Sequence, residues 1–153
     1  MPTSSIPQLI ESCRFCRADE VEELQTMKTG MTNRSYAFFV KGNRYIIRIP
    51  GEGTDRLINR TQEHAVYSAI EPLGISETVH YFDPATGIKI ASYLTDAHVC
   101  DSGNWNEVAK CVAALREFHS KNLHVAHSFD LWERLGFYES LWKGAPSIYA
   151  DYD

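Results

Sequence analysis

Tyr45-Ile46-Ile47-Arg48-Ile49-Pro50-Gly51 poses the first question, because a guanidinium stands in the middle of an otherwise apolar, strand-like run. A buried charge is costly unless it meets an anion, so Arg48 needs either a partner or a route to water. In an alternating strand Arg48 shares a face with Ile46 and points away from Ile47 and Ile49. Two readings stay open: an edge-strand arginine reaching solvent, and a cation paired with a carboxylate. Glu63 is the candidate carboxylate. It lies on the helical stretch that follows, one turn after Arg60 and one turn before Tyr67, on a face that can reach back across a sheet. The alternative there is an exposed pair between Arg60 and Glu63, which contributes little.

On either side of this strand the pattern gives a short helix over residues 7–17, with Leu9, Ile10, Cys13 and Cys16 at helical spacing. Strand-like runs follow over 21–27, 36–40 and 45–49, with Gly30 and Lys41-Gly42-Asn43 at the turns, so these three form an antiparallel meander. Residues 50–54 break the sheet. A helix over 56–71 is expected to turn Ile58, Ala65, Val66, Ala69 and Ile70 to the core, and Gly74 closes it. Residues 78–82 and 88–94 read as a hairpin around Asp83-Pro84-Ala85-Thr86-Gly87. Beyond a polar connector the pattern is helical, with Trp105, Val108, Val112, Leu115 and His119 in one stretch and Leu131, Leu135, Tyr138 and Trp142 in another.

The chain has 153 residues, 44% of them hydrophobic, enough for one core. Its formal net charge of -5 offers no basic footprint for nucleic acid. No run approaches the roughly 18 apolar residues of a membrane span, and the first residues lack the pattern of a secretion signal, so no membrane partner is expected and the cytoplasm is the expected compartment. The four cysteines then read as reduced thiols, and Cys13-x-x-Cys16 as two thiols on a helix face rather than half of a zinc site. Asn33-Arg34-Ser35 and Asn59-Arg60-Thr61 match the glycosylation pattern only by coincidence in that compartment.

Three features gain meaning together. The turn Thr29-Gly30-Met31-Thr32-Asn33-Arg34-Ser35 has small and hydroxyl residues that would let backbone amides, Thr32 and Ser35 approach a phosphate, although alone it is equally an ordinary hairpin turn. A turn of this kind, then a cation on the third strand, then a carboxylate on the next helix, is the order of parts in kinases. The segment Tyr93-Leu94-Thr95 would be a hinge whose backbone groups face adenine. The expected fold is α+β: a protein-kinase-like N-lobe of five antiparallel strands and a helix over residues 1–94, a hinge and linker over 95–104, and the start of a helical C-lobe over 105–153.

The sequence resembles bacterial choline kinases of the choline/ethanolamine kinase group, within the aminoglycoside-phosphotransferase superfamily. The resemblance is carried by Gly30-Met31-Thr32-Asn33-Arg34-Ser35-Tyr36, by Tyr45 to Gly51, and by Asn59-Arg60-Thr61-Gln62-Glu63. Further matches are Ile88-Lys89-Ile90-Ala91-Ser92-Tyr93-Leu94, Leu115-Arg116-Glu117-Phe118-His119-Ser120, and Phe129 to Arg134 with Tyr138-Glu139. It implies an ATP site in which Arg48 holds phosphates, Glu63 orients Arg48, the turn of Gly30, Met31, Thr32 and Asn33 with Ser35 covers the triphosphate, and Tyr93 and Leu94 form the hinge. The implied acceptor is a small amino alcohol such as choline, with ethanolamine or an aminoglycoside as alternatives.

The chain departs from that family in one respect. Phosphoryl transfer in the superfamily uses a His-x-Asp loop with an Asn five residues on, and a later Asp for magnesium. His64, His80, His98, His119, His124 and His127 all lack an Asp two residues later. His127-Ser128-Phe129-Asp130 reads instead as a helix start with Asp130 as its cap. Asp151-Tyr152-Asp153 reads as a solvated end rather than a metal pair, and Trp132, Tyr138 and Trp142 as helix core rather than a choline box. Catalytic residues are therefore expected to be absent, and Mg2+, though implied by the family, to lack its ligands here. Two expectations follow: a kinase whose remaining lobe lies beyond Asp153 or was lost, or a catalytically silent nucleotide-binding or interaction module that self-associates through exposed helices.

Overall fold

Strict alternation along β2 (Asn33–Val40) and β3 (Asn43–Pro50) gives the sheet two unlike faces. Tyr36, Phe38 and Val40 point one way, and the cross-strand pairs Tyr36 with Ile47 and Phe38 with Tyr45 continue that apolar surface. Ser35, opposite Arg48, and Ala37, opposite Ile46, point the other way. In the computed structural model, residues 6–27 and 32–141 are described.

The remaining elements are α1 (Ile6–Ser12), β1 (Glu22–Met27), α2 (Arg60–Ile70), β4 (Val79–Phe82), β5 (Lys89–Ser92), α3 (Trp105–Ser120) and α4 (Leu131–Leu141). The strands form one antiparallel sheet in the order β1-β2-β3-β5-β4. This is the expected five-stranded α+β lobe. The β4–β5 hairpin docks its second strand against β3, with Ile47 opposite Ile90 and Arg48 opposite Lys89.

The core lies on the face that α1 covers. Ile6, Ile10, Phe38, Ile47 and Ile90 are its largest fully buried side chains, and Cys13, Tyr36 and Val40 join them. Phe15 stacks edge-on against Tyr45 with ring centroids 4.9 Å apart, closing the end of this layer.

Several elements differ from the sequence pattern. α1 stops at Ser12 rather than near residue 17, because Arg14 adopts a left-handed backbone with φ 57°. β2 begins at Asn33, so Asn33 and Ser35 are strand residues and not part of the turn. α2 begins at Arg60, not at 56: Asn59 accepts a capping bond from the Gln62 amide at 3.1 Å, and a separate 3₁₀ turn occupies Thr54–Arg56. The expected apolar face of α2 is only partly covered: Ile58, Ala65, Ala69 and Ile70 are half-buried. Val66 is exposed and Arg60 is the helix's one fully buried residue, so α2 meets the sheet through charged groups together with the His64 and Tyr67 rings, which lie 5.2 and 5.8 Å from that of Phe82.

The helical segments correspond to α3 and α4, but their apolar residues are not a core. Trp132 is 79% exposed and Tyr138 also lies at the surface, contrary to the reading of both as helix core. Trp142 lies outside the described residues. Asp130 does cap α4: its Oδ1 accepts from the Trp132 and Glu133 amides at 2.9 and 3.0 Å.

Two substitutions separate core from surface. Phe38→Ala is expected to lower unfolding free energy by about 3–5 kcal/mol in urea titration, whereas Trp132→Ala should change it by less than about 0.5 kcal/mol.

Candidate functional site

On the sheet face away from α1, register puts Ser35, Arg48, Lys89 and Phe82 in one row across four strands. A row with two cations cannot pack against an apolar helix. α2 answers it with Arg60, Glu63, His64 and Tyr67, which recur at one-turn spacing.

The Glu63 carboxylate is shared between two arginines. Arg48 Nη2 donates to Oε1 at 2.5 Å and Arg60 Nη1 donates to Oε2 at 2.9 Å. The two readings of Glu63 are therefore both present at once, and neither pair is a surface one: the side chains of Arg48 and Glu63 are each 19% exposed, and that of Arg60 is 7% exposed. Arg60 Nη2 also donates to Thr54 Oγ1 at 3.0 Å, and Thr54 Oγ1 donates to the Gly51 carbonyl at 2.8 Å. Gly51 in turn donates its amide to the Thr32 carbonyl at 2.8 Å. A Cβ on residue 51 would lie 2.5 Å from that oxygen, so only glycine permits the approach. The end of the predicted phosphate turn is thus linked to Arg48 through a continuous polar chain.

Electrostatics favour the ionised pair. Burial pushes the Glu63 carboxyl up, but hydrogen bonds from Arg60 and Arg48, with their charges, outweigh it and hold the pKa below the ordinary glutamate range. Glu77 behaves similarly: burial raises it, while the Lys89 ammonium and further hydrogen bonds bring it below that range.

A cleft of about 380 Å³ opens beside these groups. It is lined by Ile46 and Arg48 of β3, by Lys89 and Ser92 of β5 with Tyr93 and Leu94 after it, and by Tyr67 and Glu77. Tyr93 is fixed by its amide, which donates to the Arg44 carbonyl at 3.0 Å, and by the Arg44 guanidinium stacked 4.0 Å from its ring centroid. Among the predicted site residues the structure therefore gathers Arg48, Tyr93 and Leu94 in one cleft, with Glu63 bonded to Arg48 and Ser35 opposite it in register. Thr32 and Asn33 stand at the start of β2, Asn33 opposite Pro50. Gly30 and Met31 lie outside the described residues, as do Asp151, Tyr152 and Asp153.

Arg48 Nε is buried without a hydrogen-bond partner among the described residues, so the guanidinium retains donor capacity beyond its contact with Glu63. A cleft that combines apolar and aromatic lining with the Arg48 guanidinium can take a flat ring carrying an anionic group. Magnesium is different. Glu63 and Glu77 are both engaged by cations, so neither of these carboxylates is free to hold the ion.

Lys89, Tyr67 and Glu77 were not among the site residues expected from the sequence. The signal existed: Ile88-Lys89-Ile90-Ala91 places a charge within an apolar strand as Tyr45 to Ile49 does. Glu77 gave none, since it precedes β4 in a polar connection.

The sheet order with α2 bonded to β3, followed by helices, has the arrangement of a protein-kinase-like small lobe. No protein-family model matches the sequence. The fold is similar to that of choline kinase LicA from Streptococcus pneumoniae, with a TM-score of 0.78 and 28% identity over 96% of this chain and 50% of that one. A structure of LicA in complex with AMP matches at a TM-score of 0.74 and 29% identity, with the same coverage. In sequence the chain is 24% identical over 123 residues to Protein LicA of Haemophilus influenzae, covering 78% of this chain and 36% of that protein. The resemblance to bacterial choline kinases read from the sequence is borne out as a partial one: this chain spans about half the length of the LicA structures it matches. No helix among the described residues is long and apolar enough to cross a membrane.

The pH dependence of the Glu63 pair follows from its sign. A depressed folded-state pKa contributes stability that is fully present above the ordinary glutamate value, about pH 4.3, and is lost as pH falls through the folded value. Glu63→Gln should therefore destabilise the chain by about 2–3 kcal/mol at pH 7, since it leaves two buried guanidiniums without an anion. The gap from wild type should close as urea titrations move from pH 5 to pH 3. A gap that stays constant over that range would sink the assignment.

Proposed function

We propose that this chain is the nucleotide-holding part of an ATP-dependent phosphotransferase of the choline/ethanolamine-kinase type. The observation that carries the reading is the Arg48–Glu63 pair, whose arginine lines the same cleft as Tyr93 and Leu94. In this reading Arg48 binds the phosphates nearest the nucleoside, with Glu63 keeping its guanidinium ionised and oriented. Gly30, Met31, Thr32, Asn33 and Ser35 approach the triphosphate from above, and backbone groups of Tyr93 and Leu94 meet the adenine edge. The AMP complex of LicA and the likeness of this chain to that protein support a nucleotide as the ligand. Residues 1–94 then form the N-lobe, 95–104 the connector and 105–153 the start of the C-lobe.

Within the 153 residues no histidine precedes an aspartate at the spacing of a catalytic loop. The chain by itself is proposed to bind nucleotide without transferring phosphate. The acceptor in a form carrying the catalytic loop is a choline-like amino alcohol, supported by the likeness to a choline kinase. A compartment without membrane attachment, the cytoplasm, fits that reading.

A second reading, an interaction module, is favoured by the apolar surface of the helical part. Val112, Leu115, Leu131 and Trp132 are all more than half exposed. Such a surface favours self-association, and sedimentation at two concentrations measures it.

The nucleotide site is tested by thermal unfolding. Free ATP at ten times its Kd should stabilise the chain by about 1.4 kcal/mol and raise Tm by about 3–6 °C. Arg48→Ala should abolish that shift. An unchanged Tm at millimolar ATP in the wild-type chain would remove the nucleotide reading and leave the interaction module.

A further inference from the structure

Lys89 is a second buried cation on the charged face of the sheet, and its contacts lead to α2. It is 5% exposed, stands opposite Arg48 in register, and donates to Tyr67 Oη at 2.6 Å and to the Glu77 carboxylate. Its ammonium also lies 4.0 Å from the centroid of the Tyr67 ring. Tyr67 Oη donates to Glu77 Oε1 at 3.3 Å. The tyrosine is thus held by its ring face and by its hydroxyl, and Glu77 supplies the countercharge that lets the lysine remain buried.

Tyr67 follows Glu63 by four residues, so the two side chains stand one above the other on α2, about 6 Å apart along its axis. The ring contacts of His64 and Tyr67 with Phe82 and the half-buried Ala65, Ala69 and Ile70 hold the helix loosely, with Arg60 its one fully buried residue, so the charged contacts add to what fixes its rotation. A helix attached at one charged contact can roll about that point. One attached at two contacts a turn apart cannot.

We propose that Lys89 is a positioning residue: by gripping Tyr67 it fixes the roll of α2, which sets Glu63 against Arg48 and aims the guanidinium into the cleft. The consequence for ligand binding rests on the nucleotide reading above, but the coupling from Lys89 to Arg48 exists without any ligand. The competing role is direct contact with a bound nucleotide, since Lys89 also lines the cleft.

The test uses the whole chain, labelled with 15N, and the Nε–Hε resonance of Arg48, identified by its loss in Arg48→Lys. Without nucleotide, Lys89→Met should move that resonance towards its position in Glu63→Gln, and Lys89→Arg should restore it. Combining Lys89→Met with Glu63→Gln should add no further change. Should Lys89→Met fail to fold because Glu77 is left unpaired, Tyr67→Phe removes only the hydroxyl grip and should move the resonance in the same direction by less. An Arg48 resonance unmoved in the folded variants overturns the proposal. In the second arm, ATP titration should give about a five- to tenfold weaker Kd for Lys89→Met in the wild-type background and less than a twofold change in the Glu63→Gln background. An equal loss in both backgrounds overturns it in favour of direct contact. Absence of ATP binding by the wild-type chain would refute the nucleotide reading alone, with the resonance still deciding the role of Lys89.

Discussion

A single carboxylate divided between two guanidiniums organises this lobe. Glu63 joins β3 through Arg48 and the turn before α2 through Arg60, and Arg60 carries the connection on to Thr54 and Gly51. Two positive charges and one negative leave the trio with one uncompensated positive charge in a partly desolvated place. That imbalance is costly in an empty fold and suits an anionic ligand. Gly87 belongs to the same arrangement: its φ is +71°, and a Cβ there would lie 2.8 Å from Arg60 Cδ and Nε, so the loop between β4 and β5 keeps the arginine in its seat.

Much of the lobe was legible in the order of residues. Alternation in residues 36–49 marked two strands and told which face Ile47 would take, and the turn residues marked the meander. The pairing of Arg48 with Glu63 could be read from one principle, that a charge inside an apolar strand needs a counter-ion. What could not be read was long-range. Lys89 obeyed the same principle, but its partner Glu77 comes from a connection with no periodic pattern, and its role appears only when register sets it beside Arg48.

The misreadings have a common physical origin. Periodicity identifies an apolar stripe, not the surface that covers it. In α2 the stripe is only half covered, with Val66 exposed, because the sheet opposite offers cations as well as the Phe82 ring, and the helix's one fully buried residue is Arg60. In α3 and α4 the stripes are genuine, yet Val112, Leu115 and Trp132 remain exposed because no described element lies over them.

The two sides of one sheet also imply two kinds of freedom for sequence change. On the side of Phe38, Ile47 and Ile90, hydrocarbon replacements that keep the volume are tolerated best, because non-directional packing needs no specific partner group. On the side of Arg48 and Lys89 each residue is tied to a specific acid, so a change is tolerated only with its partner. Drift along this chain should therefore be gradual on one side of the strands and concerted on the other, with paired replacements spanning β3 and α2.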